Sequence, residues 1–244
     1  MLDILKAFAR ENEIYLSEKQ LDKFEKFRKY LIAKNKEINL TAINDPEEIE
    51  IKHFIDSLEG ADIIQALEGE DFSLADIGCG GGFPGIPLKI VFPQAEFTLV
   101  DSQNKKIKCV NEAINLLELK KIQAVAARAE ELGQGRKRES FDICVSRAVA
   151  DMSVLLEYCL PLTAVGGYCI LYKSGSCEEE ADRSENVMRM LGGELEDIKK
   201  VSLPKNAGER SLVIISKEKA TPAKYPRRPG KPSKSPISNP NKKE

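Results

Sequence analysis

The chain has 244 residues, of which 42% are hydrophobic and 31% charged, so it can bury a substantial core as a soluble globular protein. No run approaches the 18 apolar residues of a membrane span, and the N-terminus lacks the apolar core of a signal peptide. The six cysteines form no C-x-x-C pair, which argues against a disulfide framework or a zinc site and favours reduced thiols in the cytoplasm.

The first 60 residues are predicted to form a helical appendage. Apolar residues recur there with helical spacing, and a capping box at Ser17 begins a second helix. Asp45, followed by proline, begins a third helix that runs to about Leu58. Residues 39–43 have no periodicity and are predicted to be a connector.

The most informative motif is Asp76-Ile77-Gly78-Cys79-Gly80-Gly81-Gly82, between a short apolar strand pattern and a helix that begins near Pro84. A strand, a glycine turn and a helix form the first half of a nucleotide-binding βαβ unit. The loop glycines are Gly78, Gly80 and Gly82. A carboxylate at position 76 favours a cationic ligand, so S-adenosylmethionine fits better than the pyrophosphate of NAD. NAD binding and a glycine turn without a ligand are the alternatives.

The rest of the chain alternates strand and helix patterns. Further strands are predicted at 95–100, 122–127, 141–145, 168–172, 194–202 and 210–216, and helices at 103–118, 152–160 and 177–191. With the strand before the glycine loop, this makes seven strands. The alternation ends in a strand pair, which predicts a Rossmann-like α/β domain over residues 61–216 with a doubly wound, mostly parallel sheet.

Ligands of such sheets bind at the carboxyl ends of the strands. The predicted strands end at Asp76, Asp101, Ala129-Glu130, Arg147 and Lys173, which should therefore share one edge. Asp101 lies about 20 residues beyond the glycines, the usual distance for a carboxylate that binds ribose hydroxyls, although it could instead cap the next helix. The backbone at 128–130 could supply an amide for adenine. Arg147 is interpreted as a functional residue, with a surface salt bridge as the alternative.

Motifs for several methyl-transfer reactions are missing. The chain has no Pro-Pro pair, typical of amino-group methylation, and no Pro-Cys nucleophile for carbon methylation. An acceptor that needs no base, such as guanine N7, is compatible with this absence but is not selected by it. The sole histidine, His53, could contact substrate or be structural, and no Cys or His cluster suggests a metal site.

The net charge of −2 conceals a basic C-terminus. Residues 217–244 hold nine Lys and Arg against two Glu, together with six of the twelve prolines. Such a segment is predicted to be extended or disordered, and its natural partner is a polyanion such as nucleic acid. A purely solubilising tail is the alternative.

These features together resemble the RsmG (GidB) family of 16S rRNA guanine-N7 methyltransferases over nearly the whole chain. The matching motifs are Asn39–Ile43, His53 with Asp56–Leu58, Asp76–Pro87, Thr98–Ser102, Arg128–Glu130, Ser146–Ala148 and Tyr225–Gly230 with Lys234–Ile237. The resemblance implies a class I methyltransferase fold, S-adenosylmethionine as cofactor, and methylation of guanine 527 N7 in the 30S subunit or a late precursor. We expect a monomer that needs neither a metal nor a membrane.

The resemblance also implies cofactor contacts at Gly78, Phe83, Ala129, Glu130 and Arg147. The glycine loop and the strand ends add Asp76, Gly80, Gly82 and Asp101 to the expected cofactor contacts. Arg147, His53 and Asn39 are the candidates for catalysis, and Lys173, Arg210, Arg227 and Arg228 are the candidates for RNA contact. Two other functions stay open: an RNA-binding assembly factor that uses the pocket as a donor sensor, and a small-molecule methyltransferase.

Overall fold

The computed structural model describes residues 2–68, 71–148 and 150–237, and its centre is one sheet of seven strands. The strands are β1 (Ser73–Ile77), β2 (Glu96–Asp101), β3 (Ile122–Ala126), β4 (Phe141–Ser146), β5 (Thr163–Ser174), β6 (Gly193–Ser202) and β7 (Glu209–Lys217). Their order is β3-β2-β1-β4-β5-β7-β6. The first five are parallel to one another, and β7 is antiparallel to both β5 and β6. The predicted doubly wound, mostly parallel sheet is confirmed.

Helices cover both faces of the sheet. They are α1 (Asp3–Glu11), α2 (Glu18–Asn35), α3 (Pro46–Ile49), α4 (Asp56–Leu58), α5 (Ala61–Glu68), α6 (Gly85–Val91), α7 (Asn104–Leu116), α8 (Ala129–Gln134), α9 (Met152–Cys159), α10 (Glu178–Met190) and α11 (Lys231–Lys234). The sequence did not reveal α5, α8 or α11. The latter two are a turn or so long, too short to show a helical apolar period.

The N-terminal helices share a hydrophobic cluster with one face of the sheet. Phe24 and Phe27 of α2 pack with Phe54, and the cluster continues to Leu74 of β1 and Leu99 of β2. This burial fixes the N-terminal 60 residues against the strands that carry the glycine loop. Parts of the site can therefore come from either region.

A π-helical segment, Glu50–Ile55, joins α3 to α4 without a break. Its wider turn changes the angular spacing of the side chains, and such segments are frequent at functional sites. Lys52 and His53 of this segment and Asp56, which follows it, line the same cleft at the sheet edge. The sequence pattern predicts one continuous helix to about Leu58 and does not reveal this π-helical segment.

The C-terminal segment, residues 218–237, packs against the domain, and the expectation that it is extended or disordered is wrong for these residues. Thr221 and Tyr225 are buried, and Arg138 donates hydrogen bonds to the carbonyl oxygens of both. Glu157, fully buried in α9, pairs with Arg227 of the segment. Composition cannot reveal these partners, because they lie far away in the sequence. Residues 238–244 of the predicted tail lie outside the described residues.

Within the described ranges, none of the helices combines the length and apolar character needed to cross a bilayer. The same residues contain no group of three or more His, Cys, Asp or Glu side chains placed to hold a metal ion.

Candidate active site

The glycine loop follows β1 and requires glycine for its backbone conformation. Gly78, Gly80 and Gly82 have φ of 78°, 56° and 94°, in the left-handed region that side chains disfavour. A Cβ on Gly80 would meet no atom within 4 Å, so this residue borders open space. A Cβ on Gly85, at the start of α6, would instead lie 2.2 Å from Leu99 Cδ2. The loop is thus open on one side and tightly packed on the other.

The open side is a cleft of about 520 Å³ at the carboxyl ends of the strands, here called the donor cleft. Seven of the nine residues predicted to contact cofactor line it: Gly78, Gly80, Phe83, Asp101, Ala129, Glu130 and Arg147. Gly82 and Asp76 do not line it. The predicted convergence of strand ends is therefore found for most of the set.

Asp101 faces the donor cleft and also organises the loops around it. Its Oδ2 accepts a hydrogen bond from Gly80 N at 3.0 Å, and its Oδ1 accepts one from Gln103 N at 2.8 Å. The second bond supports the chain just before α7, but the N-cap of this helix is Gln103, so the alternative that Asp101 caps it is wrong. The remaining lone pairs of the carboxylate can accept hydrogen bonds from ligand hydroxyls.

Asp76 lies behind the glycine loop and not at the edge of the cleft, as the motif had suggested. The side chain is fully buried, and Oδ2 accepts a hydrogen bond from Gly85 N at 2.8 Å. Oδ1 has no hydrogen-bond partner among the described residues. Burial raises the pKa of Asp76 to about 7. The carboxylate therefore anchors the start of α6 and gives the loop its shape from behind.

Arg147 connects the sheet edge with the N-terminal helices. Its guanidinium carbon lies 5.2 Å from the centroid of the Phe83 ring, a cation–π distance, and Nη1 donates a hydrogen bond to Asp56 Oδ2 at 3.1 Å. Arg147 therefore lines the donor cleft and also forms a salt bridge, which is largely buried and is not the surface salt bridge considered as the alternative. These two contacts fix the guanidinium group of Arg147 at the border of the donor cleft.

A second cleft of about 330 Å³, here called the acceptor cleft, shares Arg147 and Ala148 with the donor cleft. Its charged lining residues are Lys52, Asp56, Arg147, Lys173 and Arg210, joined by His53 and Tyr172. Arg210 Nε lies 3.2 Å from both oxygens of Asp56, so one carboxylate anchors two guanidinium groups. Lys52 is paired with Glu48 and Lys173 with Glu180, whereas Arg147 and Arg210 share the single carboxylate of Asp56. The two guanidinium groups therefore leave the cleft with an excess positive charge that attracts anions.

His53 stacks on Phe83 where the two clefts approach each other. The ring centroids are 4.4 Å apart with an interplanar angle of 16°, and Nε2 lies 2.6 Å from Thr41 Oγ1. Burial lowers the pKa of His53 to about 3, with a further contribution from the charge of Arg147. The imidazole is therefore neutral at physiological pH.

Besides Asp76 and Gly82, three residues predicted for catalysis or RNA contact lie outside both clefts. Asn39 is exposed, two positions before the threonine that contacts His53. Arg227 is engaged by Glu157, whereas the neighbouring Arg228 is exposed. Lys173 does line the acceptor cleft, but its Nζ is already bonded to Glu180 and to the Ala150 carbonyl.

Sequence reasoning did not assign roles to three residues that shape the site. Asp56 links the two arginines, Tyr172 donates a hydrogen bond to the Ser57 carbonyl at 3.0 Å, and Lys52 lines the acceptor cleft. Only Asp56 carried a signal, because it belongs to a motif of the family resemblance. Nothing local distinguishes Tyr172 from a core residue of β5.

Solved structures share this fold at low sequence identity. A ribosomal protein L11 methylase from Lactobacillus delbrueckii subsp. bulgaricus matches with a TM-score of 0.51 and 16% identity, over 69% of this chain and 79% of that one. M. jannaschii TYW2, solved in complex with AdoMet, matches with a TM-score of 0.50 and 15% identity, over 66% and 74%. These likenesses confirm the class I methyltransferase fold.

Sequence relatives are much closer. Proteins named ribosomal RNA small subunit methyltransferase G match at 47% identity in Acetivibrio thermocellus, over 92% of each chain, and at 44% in Staphylococcus carnosus, over 93% of this chain and 95% of that one. A third, from Pelotomaculum thermopropionicum, is 44% identical over 97% and 99%. The family model for GidB, rRNA small subunit methyltransferase G, matches residues 20–213. The predicted family resemblance is confirmed, and the chain belongs to the GidB family of small-subunit rRNA methyltransferases.

Proposed function

We propose that the protein transfers a methyl group from S-adenosylmethionine to N7 of guanine 527 in 16S rRNA, within the 30S subunit or a late precursor. The observation that carries this proposal is the junction of two clefts at Arg147, one bounded by the glycine loop and the other cationic. Family membership supports an rRNA substrate. The nucleotide and atom are the finer part of the proposal and follow the family resemblance.

The donor cleft fits S-adenosylmethionine, which supplies an activated methyl group when bound. Asp101 would accept hydrogen bonds from the ribose hydroxyls, and the open face of Gly80 leaves room for the ligand beside the loop. Ala129 and Glu130 would border the base. Asp76 supports the loop indirectly, through Gly85.

The acceptor cleft fits a nucleotide of an RNA chain. Arg147 and Arg210 present guanidinium groups, which pair well with phosphate, whereas the ammonium group of Lys52 is paired with Glu48. Asp56 holds the two arginines in place, so less side-chain entropy is lost when an anion binds. We propose that these residues orient the target nucleotide. Asn39, which is exposed, would contact RNA outside the cleft.

The chemistry of N7 methylation suits a site without a general base. The N7 lone pair is free, so the protein has to align the acceptor and exclude water, and it need not remove a proton. His53 is neutral and stacked on Phe83, which makes it a wall and a hydrogen-bonding group near the junction of the clefts. In this scheme Arg147 and His53 position the base.

The proposal is tested with purified protein, labelled S-adenosylmethionine and 30S subunits that lack the modification. Mass spectrometry of nuclease fragments of the 16S rRNA should find one added methyl group, at N7 of guanine 527. A methyl group on another nucleotide would contradict the proposed specificity. RNA that binds without gaining a methyl group would favour an assembly factor, and methylation of small acceptors alone would favour a small-molecule enzyme.

A further inference from the structure

Two helices form one side of the donor cleft, and the C-terminal segment lies behind both. Ala129 and Glu130 of α8, and Leu155 and Tyr158 of α9, line the cleft, whereas no residue of the C-terminal segment does. The segment instead contacts α8 and α9 from outside, and its own helix α11 packs against α9. These helices therefore connect the segment with the cleft.

The contact with α9 is a buried ion pair. Glu157 is fully buried and precedes Tyr158, which lines the cleft. Its carboxylate accepts hydrogen bonds from Arg227 Nη2 at 2.5 Å and from Arg227 Nε and backbone N at 2.8 Å. A buried carboxylate that loses its partner is strongly destabilised, so this pair fixes the position of Arg227 on α9.

The contact with α8 involves a residue that itself lines the cleft. Glu130 Oε1 accepts a hydrogen bond from Gly230 N at 2.8 Å, and at the other end of α8 Gln134 Nε2 donates one to the Pro226 carbonyl at 2.8 Å. A Cβ on Gly133 would lie 3.0 Å from Pro226 Cγ, so helix and segment are also in close steric contact. The short helix α8 is thus held at both ends by the segment.

We propose that the C-terminal segment is a positioning element for the methyl donor, with Arg227 as its principal positioning residue. By holding α8 and α9 in one arrangement, the segment preorganises Glu130 and Tyr158 for the ligand. Docking of the segment and binding of the donor then stabilise each other, since a coupling free energy acts equally in both directions. This inference rests on the proposed binding of S-adenosylmethionine in the donor cleft.

The first test compares two adjacent arginines in the full chain by calorimetry with S-adenosylhomocysteine. The double variant Glu157→Gln/Arg227→Gln removes the ion pair without leaving a buried charge, and the matched control Arg228→Gln removes one exposed charge. We expect the Kd of the double variant to rise about tenfold and that of the control to stay at the wild-type value. Circular dichroism verifies that each variant is folded.

The outcomes separate this inference from the proposed function. If wild-type protein gives no isotherm, binding of the donor itself is wrong. If the wild type binds and the folded double variant binds within twofold of it, the segment does not position the donor and the inference is overturned.

A second measurement uses only wild-type protein, so it tests the inference even if the double variant fails to fold. Hydrogen exchange of wild-type protein is followed by mass spectrometry with and without S-adenosylhomocysteine. We expect the ligand to slow exchange at amides between residues 227 and 234, which do not line the cleft, and to leave α1 unchanged. Equal exchange rates in that segment with and without ligand would overturn the inference.

Discussion

Arg147 Nη1 lies 3.1 Å from Oδ2 of Asp56, although the two residues are 91 positions apart in the chain. The contact joins the end of β4 to the N-terminal helices at the junction of the two clefts. Because Asp56 also binds Arg210, one buried carboxylate orients both guanidinium groups of the acceptor cleft. The N-terminal helices therefore form part of the site as well as part of the core.

Replacement of this carboxylate should impair the use of RNA more than the binding of the donor. Asp56→Asn removes the charge that holds Arg147 and Arg210, and hydrogen bonds to charged groups contribute about 1.5–3 kcal/mol each. We expect kcat/KM for 30S subunits to fall by about 10- to 100-fold. The Kd for S-adenosylhomocysteine should change less, because Asp56 does not line the donor cleft and reaches it only through Arg147.

Asp62→Asn is the matched control for that experiment, since Asp62 forms a salt bridge with Lys199 at the surface. Surface pairs contribute little, and this variant should behave like the wild type. A wild-type kcat/KM in Asp56→Asn would contradict the role assigned to Asp56.

Loss of Asp76 should weaken donor binding through the shape of the loop. Asp76→Ala removes the acceptor of Gly85 N and leaves a cavity behind the glycine loop, so the loop loses its support. We expect the Kd for S-adenosylhomocysteine to rise at least about tenfold, measured by calorimetry, and methylation to fall with it. Asp71→Ala, at a highly exposed position, is the control. A folded Asp76→Ala protein with wild-type affinity would show that the loop does not need this anchor.

The buried imidazole of His53 should make stability depend on pH. Its folded-state pKa is lowered to about 3, against about 6.5 in the unfolded chain. Between these values the unfolded chain binds a proton that the folded protein does not, so stability is lost as pH falls from about 6.5 towards 3. The variant His53→Phe keeps an aromatic ring against Phe83 but has no group that binds this proton.

Urea unfolding at pH 7.5 and pH 5 measures that effect. We expect the free energy of unfolding of wild-type protein to decrease more between the two pH values than that of His53→Phe. All other titrating groups are common to both proteins, so the difference reports on His53. Equal decreases would mean that the imidazole is not protected from protonation.

The exposed cations of the C-terminal segment should contribute to RNA binding. Deletion from residue 217 is a poor test, because Lys217 is fully buried and the segment packs on α8 and α9. Substitution of Arg228, Lys231 and Lys234 by glutamine removes three exposed charges and leaves the packing intact. If these residues contact phosphates, the slope of log K against log salt should become shallower by about 0.7–0.9 per contact.

The control for this experiment removes three exposed lysines of α2, namely Lys19, Lys26 and Lys29, by the same substitution. Filter binding to 30S subunits at several salt concentrations gives both slopes. A slope in the tail variant equal to that of the α2 variant would support the solubilising alternative.

Sequence patterns alone were enough to predict the sheet, the glycine loop and the family. Strand and helix periods are local patterns, and the order in which they alternate implies a parallel sheet with a ligand edge. Gly78, Gly80 and Gly82 could be recognised because their positive φ excludes most other residues, a constraint that is visible in residue type alone. The convergence of Asp101, Ala129 and Arg147 followed from the rule that strand ends meet.

Three features could be seen only in the folded protein: the side of the loop on which Asp76 lies, the two arginines held by Asp56, and the packing of the C-terminal segment on α8 and α9. Each of these depends on burial or on a partner remote in the chain. Glu157 and Arg227 are 70 positions apart, and nothing in either neighbourhood encodes the pair. Residue type limits local backbone geometry, whereas the pairing of charges and the exclusion of water are properties of the packed chain.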